Sequence, residues 1–332
     1  MIRIQRIGWL VLAAISLVSC GKKQSSSAVE HPAFMADSAY RYVAEQVYLG
    51  PRVPGTKSHM DCVVYLVEKL RSFGAEVTLQ QGTKTNYAGE AQPIINIIGH
   101  FASDLSADAV LLCAHYDSRP WCDEEEVYED RFQGVPAAND GASGVGVLLE
   151  VARQIGLKRD STNVKPRPID IVFFDCEDMG TPSFYTGMQR ENTWCLGSQL
   201  WAEQFAYSTE PPVSERYEYG ILLDMVGAPD AIFPKEYYSM QGAGDYVEKI
   251  WRNAAKLGYG NHFISQTAYP IVDDHYYVGS IAGIPCVDII HYDVKVNMGF
   301  PFWWHTRQDN MQNIDKNTLR AVGETVLSCL NY

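Results

Sequence analysis

The chain has 332 residues, of which 46% are hydrophobic and 12% aromatic, and it carries a formal charge of −13. This composition predicts a globular protein with a sizeable core and excludes an intrinsically disordered chain. The acidic balance argues against a nucleic-acid partner, because a negatively charged surface repels phosphate backbones. We therefore expect no nucleic acid among the partners.

The first twenty residues, "MIRIQRIGWLVLAAISLVSC", predict an export signal. They begin with two arginines among apolar residues, continue with an apolar run too short to span a membrane, and end in small residues before Cys20. The ending "LVSC" resembles the bacterial lipoprotein signal, which implies cleavage before Cys20 and lipidation of its thiol. A plain secretory peptide is the alternative. We expect a signal peptide at 1–19, a flexible polar tether at 20–32 and a folded domain at 33–332.

Apolar periodicity along the folded domain predicts strands that alternate with helices. The predicted elements, in chain order, are helices from Asp37 and Ser58, strands from Val77, Ile94 and Ala109, a helix from Gly141, a strand from Ile169, a helix from Gly197, a strand from Tyr219, a helix from Ala243, a strand from Pro285 and a helix from Thr318. Such alternation is typical of a doubly wound, mostly parallel central sheet flanked by helices. We therefore expect a single α/β domain.

Potential metal ligands follow several of the predicted strands. The stretch "IDIVFFDCEDMG" from Ile169 predicts a strand buried on both faces that ends in a group of acids. Ligands of open α/β sheets bind beyond the carboxyl ends of the strands, so acids there favour a functional site. Imidazoles and carboxylates without a cysteine cluster are the ligands of a catalytic Zn²⁺, which keeps one position open for substrate. The candidates are His115, Asp117, Asp140, Glu177, Asp178, Asp224 and His305.

Glu177 and Asp178 are neighbours in the chain, which restricts what they can do together. Adjacent side chains of an extended chain point to opposite sides, so both carboxylates do not easily bind one ion. We expect one of them to hold a metal and the other to act as a general base.

The order of these ligands resembles that of the zinc aminopeptidase-like exopeptidases over nearly the whole domain. Within that family, "LLDMVGAP" around Asp224, "IVDDHYYV" around Asp273 and "WWHT" before and at His305 resemble the animal-type glutaminyl-peptide cyclotransferases, or glutaminyl cyclases. The resemblance implies a zinc-dependent catalytic domain that converts the N-terminal glutamine of peptides and proteins to pyroglutamate and releases ammonia.

Carried over residue by residue, the resemblance implies one zinc ion held by Asp140, Asp178 and His305. In the di-zinc aminopeptidases, His115 and Asp224 would instead bind a second ion. Both residue types are present, so the sequence leaves two metals open.

The resemblance also implies roles around the metal. Glu177 would shuttle the proton, and Asp224 and Asp273 would form a hydrogen-bonded acid network beside it. The walls of the substrate pocket would be Trp304, Phe300 and, from a long loop, Trp194.

The sequence departs from the family pattern at several positions. Asp178 stands where the family usually has glutamate, and Asp288 stands where the animal cyclases have histidine, which puts the acid network there in doubt. Of the animal disulfide, Cys113 fits one half. Cys122 is a substitute partner for it, or Cys113 is a core thiol.

The sequence leaves two other hypotheses for the function. The first is a zinc aminopeptidase that releases N-terminal residues from peptides, and the second is a lipoprotein that keeps the fold as a binding or structural module. A serine hydrolase is disfavoured because the chain has no G-x-S-x-G motif. A dinucleotide-binding site is disfavoured because "GASGVG" has its glycines in the wrong order.

Overall fold

A computed structural model describes residues 32–101, 108–161, 167–208, 216–296 and 298–330. The predicted signal peptide, the predicted lipidation site Cys20 and the predicted tether up to residue 31 lie outside these residues. Across the described ranges, no helix has both the length and the apolar content needed to cross a bilayer.

Eight strands and seven α-helices form the described part of the chain. The strands are β1 (Glu76–Thr85), β2 (Ala91–His100), β3 (Ala109–His115), β4 (Ile169–Phe174), β5 (Tyr217–Asp224), β6 (Phe233–Lys235), β7 (Phe263–Thr267) and β8 (Cys286–Ile290). The helices are α1 (Ala36–Tyr48), α2 (Lys57–Ser72), α3 (Ala142–Ser161), α4 (Leu196–Ser208), α5 (Tyr237–Lys256), α6 (Asp274–Ser280) and α7 (Lys316–Cys329).

Six strands form the central sheet, in the order β1-β2-β4-β3-β5-β8. The β4, β3, β5 and β8 strands are parallel to one another, whereas β1 and β2 add an antiparallel edge. The predicted fold class is therefore confirmed as a mixed, mostly parallel sheet in a single domain. The parallel centre follows from strands such as β3 and β4, in which every residue is buried because helices cover both faces.

Alternate residues of β3 belong to two separate hydrophobic cores. Leu112 packs into the larger core, which includes residues of α1, α2, α3, α5 and α7. Leu111 and Cys113 pack into the smaller core beneath α4 and α6. This alternation follows from the two-residue period of a strand.

The structure differs from the predicted elements in three short segments and one helix start. The β6 and β7 strands form a separate two-stranded sheet, and α6 spans only seven residues, too short for a periodicity signal. The helix predicted from Ala243 begins earlier, at Tyr237, and has a non-helical φ of −141° at Ala243. That break hides the first turns from a search for continuous helical periodicity.

The cysteines resolve the alternative that the sequence left open. Cys113 and Cys122 are both buried free thiols, as are the other five cysteines of the described chain. The Cys113 thiol donates to the carbonyl oxygen of Ile221 at 3.6 Å. Cys113 is therefore a core thiol, and it forms no disulfide with Cys122.

Candidate metal centre and active site

The carboxyl ends of the parallel strands bring the predicted metal ligands together. His115 ends β3 and pairs in register with Phe174, the last residue of β4, while Asp224 ends β5. Asp140 lies in the turn before α3, where Gly141 has a φ of 91° and lies so close to His115 that a Cβ atom would come within 2.8 Å of the ring. A glycine is thus required for Asp140 and His115 to approach each other.

Asp140 lies between two half-sites. One is formed with Asp178 and His305, and the other with His115 and Asp224. Its Oδ1 atom lies 3.0 Å from Nε2 of His115, and its Oδ2 atom lies 3.4 Å from Nε2 of His305. Asp178 completes the His305 side, with Oδ1 3.1 Å from Nε2. Asp224 completes the His115 side, with Oδ1 3.2 Å from Nε2. The predicted zinc ligands Asp140, Asp178 and His305 therefore converge on one side, and His115 and Asp224 converge on the other.

The donor set fits a divalent cation. His115, Asp140 and Asp178 offer ligand atoms that all lie within 4.8 Å of one another, and all three residues are buried. Among the described residues, Oδ2 of Asp178 is buried without a hydrogen-bond partner, which is costly unless a ligand uses it. Despite burial, hydrogen bonds from His115 and His305 hold the pKa of Asp140 well below its usual range. Imidazole nitrogens and carboxylate oxygens are the donors that zinc prefers in catalytic sites.

Asp117 fixes the metal ligands from behind, a role that the sequence did not assign to it. Its carboxylate accepts the backbone N–H groups of Glu177 at 3.0 Å and of Asp178 at 3.2 Å. Its Oδ1 atom also lies 3.4 Å from Nδ1 of His115. Asp117 therefore sets the direction in which the chain leaves β4, and it orients the His115 ring.

Asp309 supports the Asp140 turn in the same way, and sequence reasoning missed it. The Asp309 carboxylate accepts the backbone N–H groups of Asn139 at 2.7 Å and of Asp140 at 3.0 Å. The sequence feature that could have pointed to Asp309 is its position in "WWHTRQDN", four residues after His305. A buried carboxylate near a ligand is a common partner of a metal site, but spacing alone does not identify the backbone that it binds.

A stack of side chains holds the His305 ring. The Nδ1 atom of His305 lies 3.7 Å from Oδ1 of Asp123, which is paired with the buried Arg119 at 2.6 Å. The Arg119 guanidinium lies 4.7 Å from the ring centre of Trp194, and that ring is nearly parallel to the His305 ring at 6.2 Å. Trp304 packs directly against His305, with ring centroids 3.5 Å apart. The orientation of His305 is thus set from several sides.

A pocket of about 250 Å³ opens beside the metal ligands. Its apolar walls are Trp194, Ile271, Val272, Ile290, Phe300 and Trp304. All three residues predicted to wall the substrate pocket thus line one cavity. Glu177, Asp224 and Asp273 lie in the same cavity, so the predicted catalytic acids face the same space as the ligands.

Glu177 has a partner that no sequence pattern predicts. The Cys195 thiol donates to Oε1 of Glu177 at 3.1 Å, and the ligand atoms of Glu177, Cys195 and Asp273 all lie within 4.8 Å of one another. Removal from bulk water, together with the charge of Asp178, raises the pKa of Glu177 well above its ordinary value. A pKa closer to the working pH lets the carboxyl group both take a proton and return it.

The acid network continues behind Glu177. Burial raises the pKa of Asp224 to about 6, and burial together with the charge of Asp224 raises the pKa of Asp273 well above its ordinary value. Asp288, which replaces the histidine of the animal cyclases, lies with Oδ2 3.5 Å from Nδ1 of His275. The Nε2 atom of His275 lies 3.0 Å from Oε2 of Glu236.

The chain is similar to known glutaminyl cyclases and zinc-dependent exopeptidases. The chain is 47% identical to Tannerella forsythia glutaminyl cyclase, with a TM-score of 0.83 over 91% of this chain and 100% of that structure. It is also 47% identical to a Zn-dependent exopeptidase from Parabacteroides distasonis, with a TM-score of 0.84 and the same coverage. The glutaminyl-peptide cyclotransferase of Bothrops jararaca is 25% identical over 292 residues, which cover 81% of this chain and 73% of that protein.

The profile of peptidase family M28 matches residues 96–330. This stretch begins in β2, includes all four parallel strands of the central sheet and every candidate metal ligand, and ends after α7. The chain therefore belongs to peptidase family M28.

Proposed function

We propose that this chain is a glutaminyl-peptide cyclotransferase, which closes the N-terminal glutamine of a peptide or protein to pyroglutamate and releases ammonia. One observation carries the proposal: the Glu177 carboxylate lies in a small aromatic pocket directly beside the His/Asp ligand cluster. A cavity of about 250 Å³ is below the usual range for drug-sized ligands, and its size suits a single side chain. The 47% identity to a bacterial glutaminyl cyclase supports the same activity.

An N-terminal glutamine contains both of the groups that must react. Its α-amine attacks its own γ-amide carbon, a five-membered ring forms, and the C–N bond to the amide nitrogen breaks to release ammonia. The aromatic walls of Trp304, Phe300 and Trp194 would hold the folded side chain and keep water away from it. Well-oriented intramolecular reactions gain on the order of 7 kcal/mol or more over their bimolecular counterparts, so holding this conformer is a large part of catalysis.

Glu177 would move the proton. It takes a proton from the attacking amine and gives it to the departing nitrogen, so that ammonia leaves as a neutral molecule. Its raised pKa suits both steps, since the carboxyl must hold the proton between them. Asp273 and Asp224, whose pKa values burial also raises, lie in the same cavity and would form the acid network beside Glu177.

One zinc ion held by Asp140, Asp178 and His305 is the expected cofactor, since Nε2 of His305 lies 3.1 Å from Asp178 and 3.4 Å from Asp140. When bound, zinc would supply a Lewis acid for the γ-carbonyl oxygen of glutamine. Asp123 would orient His305 through Nδ1, as carboxylates commonly do for zinc-bound histidines.

Ammonia release tests the proposal directly. Purified domain 33–332 with zinc is incubated with a peptide that begins with glutamine, and in parallel with leucine amide and alanine amide. We expect ammonia from the glutamine peptide and no hydrolysis of the two amides. Hydrolysis of the two amides with no ammonia from the glutamine peptide would contradict the proposal and move the chain to the aminopeptidases.

The second candidate function, a zinc aminopeptidase, is favoured by the position of Asp140. Its two carboxylate oxygens face His115 and His305 separately, as a carboxylate bridging two metal ions would do. Peptide hydrolysis needs an activated water, which a second ion at His115 and Asp224 would help to generate. The number of zinc ions per chain therefore separates the two functions, with one ion expected for the cyclase.

We also infer that Cys20 carries lipid and holds the domain at the periplasmic face of the inner or outer membrane. The support is the charged, apolar and small-residue order that ends in "LVSC". A Cys20→Ala variant is expected in the soluble periplasmic fraction, with the parent chain in the membrane fraction. Recovery of the parent chain in the soluble fraction would contradict the anchor.

A further inference from the structure

A second cavity adjoins the pocket at its mouth. This cavity, which we call the loop groove, has a volume of about 550 Å³ and is lined by Thr181–Ser183, Gln189–Thr193, Trp194, Val272 and Tyr277. Trp194 and Val272 line both cavities, so the loop groove begins where the catalytic pocket ends. Val272 is 49% exposed.

The chemistry of the reaction restricts where the rest of a peptide can go. Both reacting groups of the N-terminal glutamine, its α-amine and its γ-amide, must lie next to Glu177 inside the pocket. The peptide bond to the second residue is then the one connection that leaves the pocket. A pocket of about 250 Å³ is too small to enclose the following residues as well, so they must cross its mouth.

We propose that the loop groove binds the second and third residues of the peptide substrate and that Arg190 favours acidic side chains at these positions. The inference rests on the proposed cyclase activity and adds a substrate class to it. Gln189 and Asn192 offer polar side chains for an extended backbone, and Trp194 and Val272 offer an apolar floor. Such a surface suits a peptide that leaves the pocket in an extended conformation.

Arg190 is the basis for the acidic preference. It is exposed at the loop groove, and its guanidinium packs against Gly89 in the turn between β1 and β2. Within the described chain, no carboxylate lies within 4.0 Å of this guanidinium, so its charge is available to a ligand. Glu191 follows Arg190 directly and is also exposed. It would pair with a lysine at the second or third position of the peptide, so a lysine peptide is compared with the glutamate peptide.

The overall negative charge of the chain opposes a preference for acidic peptides. A chain with a formal charge of −13 attracts basic peptides and repels acidic ones at long range. A preference for acidic peptides would therefore have to come from a local contact. An exposed ion pair changes affinity up to about fivefold, and added salt weakens it.

The experiment uses the domain 33–332 with zinc and measures ammonia release together with the pyroglutamyl product from four substrates. They are glutamine amide and the peptide amides Gln-Ala-Ala-Ala, Gln-Glu-Glu-Ala and Gln-Lys-Lys-Ala. We expect kcat/KM to rise at least about tenfold from glutamine amide to the alanine peptide, because residues in the loop groove add binding energy. We expect a further rise of about threefold to fivefold for the glutamate peptide.

Two variants assign the preference to Arg190. In Arg190→Ala, the kcat/KM ratio of the glutamate peptide to the alanine peptide is expected to fall to about one, and in Arg190→Glu to fall below one. The ratio is taken within each variant, so a change in overall activity does not affect it. Arg320→Ala removes an exposed positive charge on α7 and is expected to keep the ratio of the parent protein.

The outcomes separate this inference from the proposed function. No ammonia from any of the four substrates would overturn the proposed function and this inference with it. Ammonia release with equal kcat/KM for glutamine amide and the alanine peptide would overturn the loop groove alone. A ratio that stays the same in Arg190→Ala, or a preference for the lysine peptide, would overturn the role of Arg190.

Discussion

The Sγ atom of Cys195 lies 3.1 Å from Oε1 of Glu177 and donates a hydrogen bond to it. Cys195 has a positive φ of 55° at the start of α4, and its backbone N–H group bonds the carbonyl oxygen of Glu177 at 2.8 Å. Cys195 is therefore attached to Glu177 through both its backbone and its thiol. It is a positioning residue, since it acts on the proposed base and not on the substrate.

Replacement of Cys195 is expected to change the pH dependence of the reaction. In Cys195→Ala the carboxylate of Glu177 loses a donor, so its pKa rises and the acidic limb of kcat/KM moves to higher pH. The value of kcat is expected to fall about tenfold, the scale of a hydrogen bond to a charged group. Cys195→Ser keeps a donor and is expected to keep the pH profile. A parent-like pH profile in the alanine variant would contradict the positioning role.

Glu177→Gln is expected to remove the proton shuttle and leave the fold and the metal site in place. Loss of a general acid–base group typically costs a factor of roughly 10² to 10⁴, and kcat should fall within this range. Ammonia release gives the rate, and circular dichroism and zinc content check the fold and the cofactor. Glu126→Gln, at an exposed position outside the pocket, is the matched control. Parent-like activity in Glu177→Gln would contradict the assignment of Glu177 as the proton shuttle.

Zinc content after dialysis is expected to separate the two half-sites. Asp140→Asn removes the carboxylate that faces both histidines, and it should lower zinc affinity by more than the 10–100-fold, roughly, that an outer partner contributes. Asp224→Asn affects only the His115 side, so it should keep one zinc per chain. Two zinc ions in the parent protein and one in Asp224→Asn would favour the aminopeptidase instead.

An ion pair at the far side of the sheet is expected to make stability depend on pH. His100 Nδ1 lies 2.8 Å from Oδ1 of the buried Asp170, and this hydrogen bond raises the pKa of His100 above its ordinary value. Since the folded pKa exceeds the unfolded value of about 6.5, the stabilisation is complete below about pH 6.5. It is lost as the pH rises through the folded pKa.

His100→Gln tests this pair through thermal unfolding at a series of pH values. The parent protein should be more stable than the variant by about 1 kcal/mol at pH 6, and the difference should shrink towards pH 9. Lys57→Gln removes a charge at an exposed ion pair and should show no such trend. A difference that stays constant with pH would contradict a contribution from charged His100.

The order of the site residues along the chain is a local property, and the sequence was sufficient to find it. Buried strands followed by His115, Asp178 and Asp224 could be predicted because apolar runs and their polar ends are visible residue by residue. The parallel sheet then followed from the alternation of strands and helices. The assignment of Glu177 as the base and of Asp178 as a metal ligand remains a prediction. The two carboxylates have different partners, Cys195 for Glu177 and His305 for Asp178, which agrees with it.

Other features depend on contacts between distant segments, which no local pattern records. Asp170 interrupts an apolar strand in the sequence, and only the structure reveals its partners, His100 and Tyr217. The contact between Cys195 and Glu177 joins residues eighteen positions apart, across a loop without periodicity. A buried polar side chain is stable only with a partner, but the sheet order and the loop paths decide which partner it meets. The sequence therefore determined which groups are available, and the tertiary structure decided their pairs.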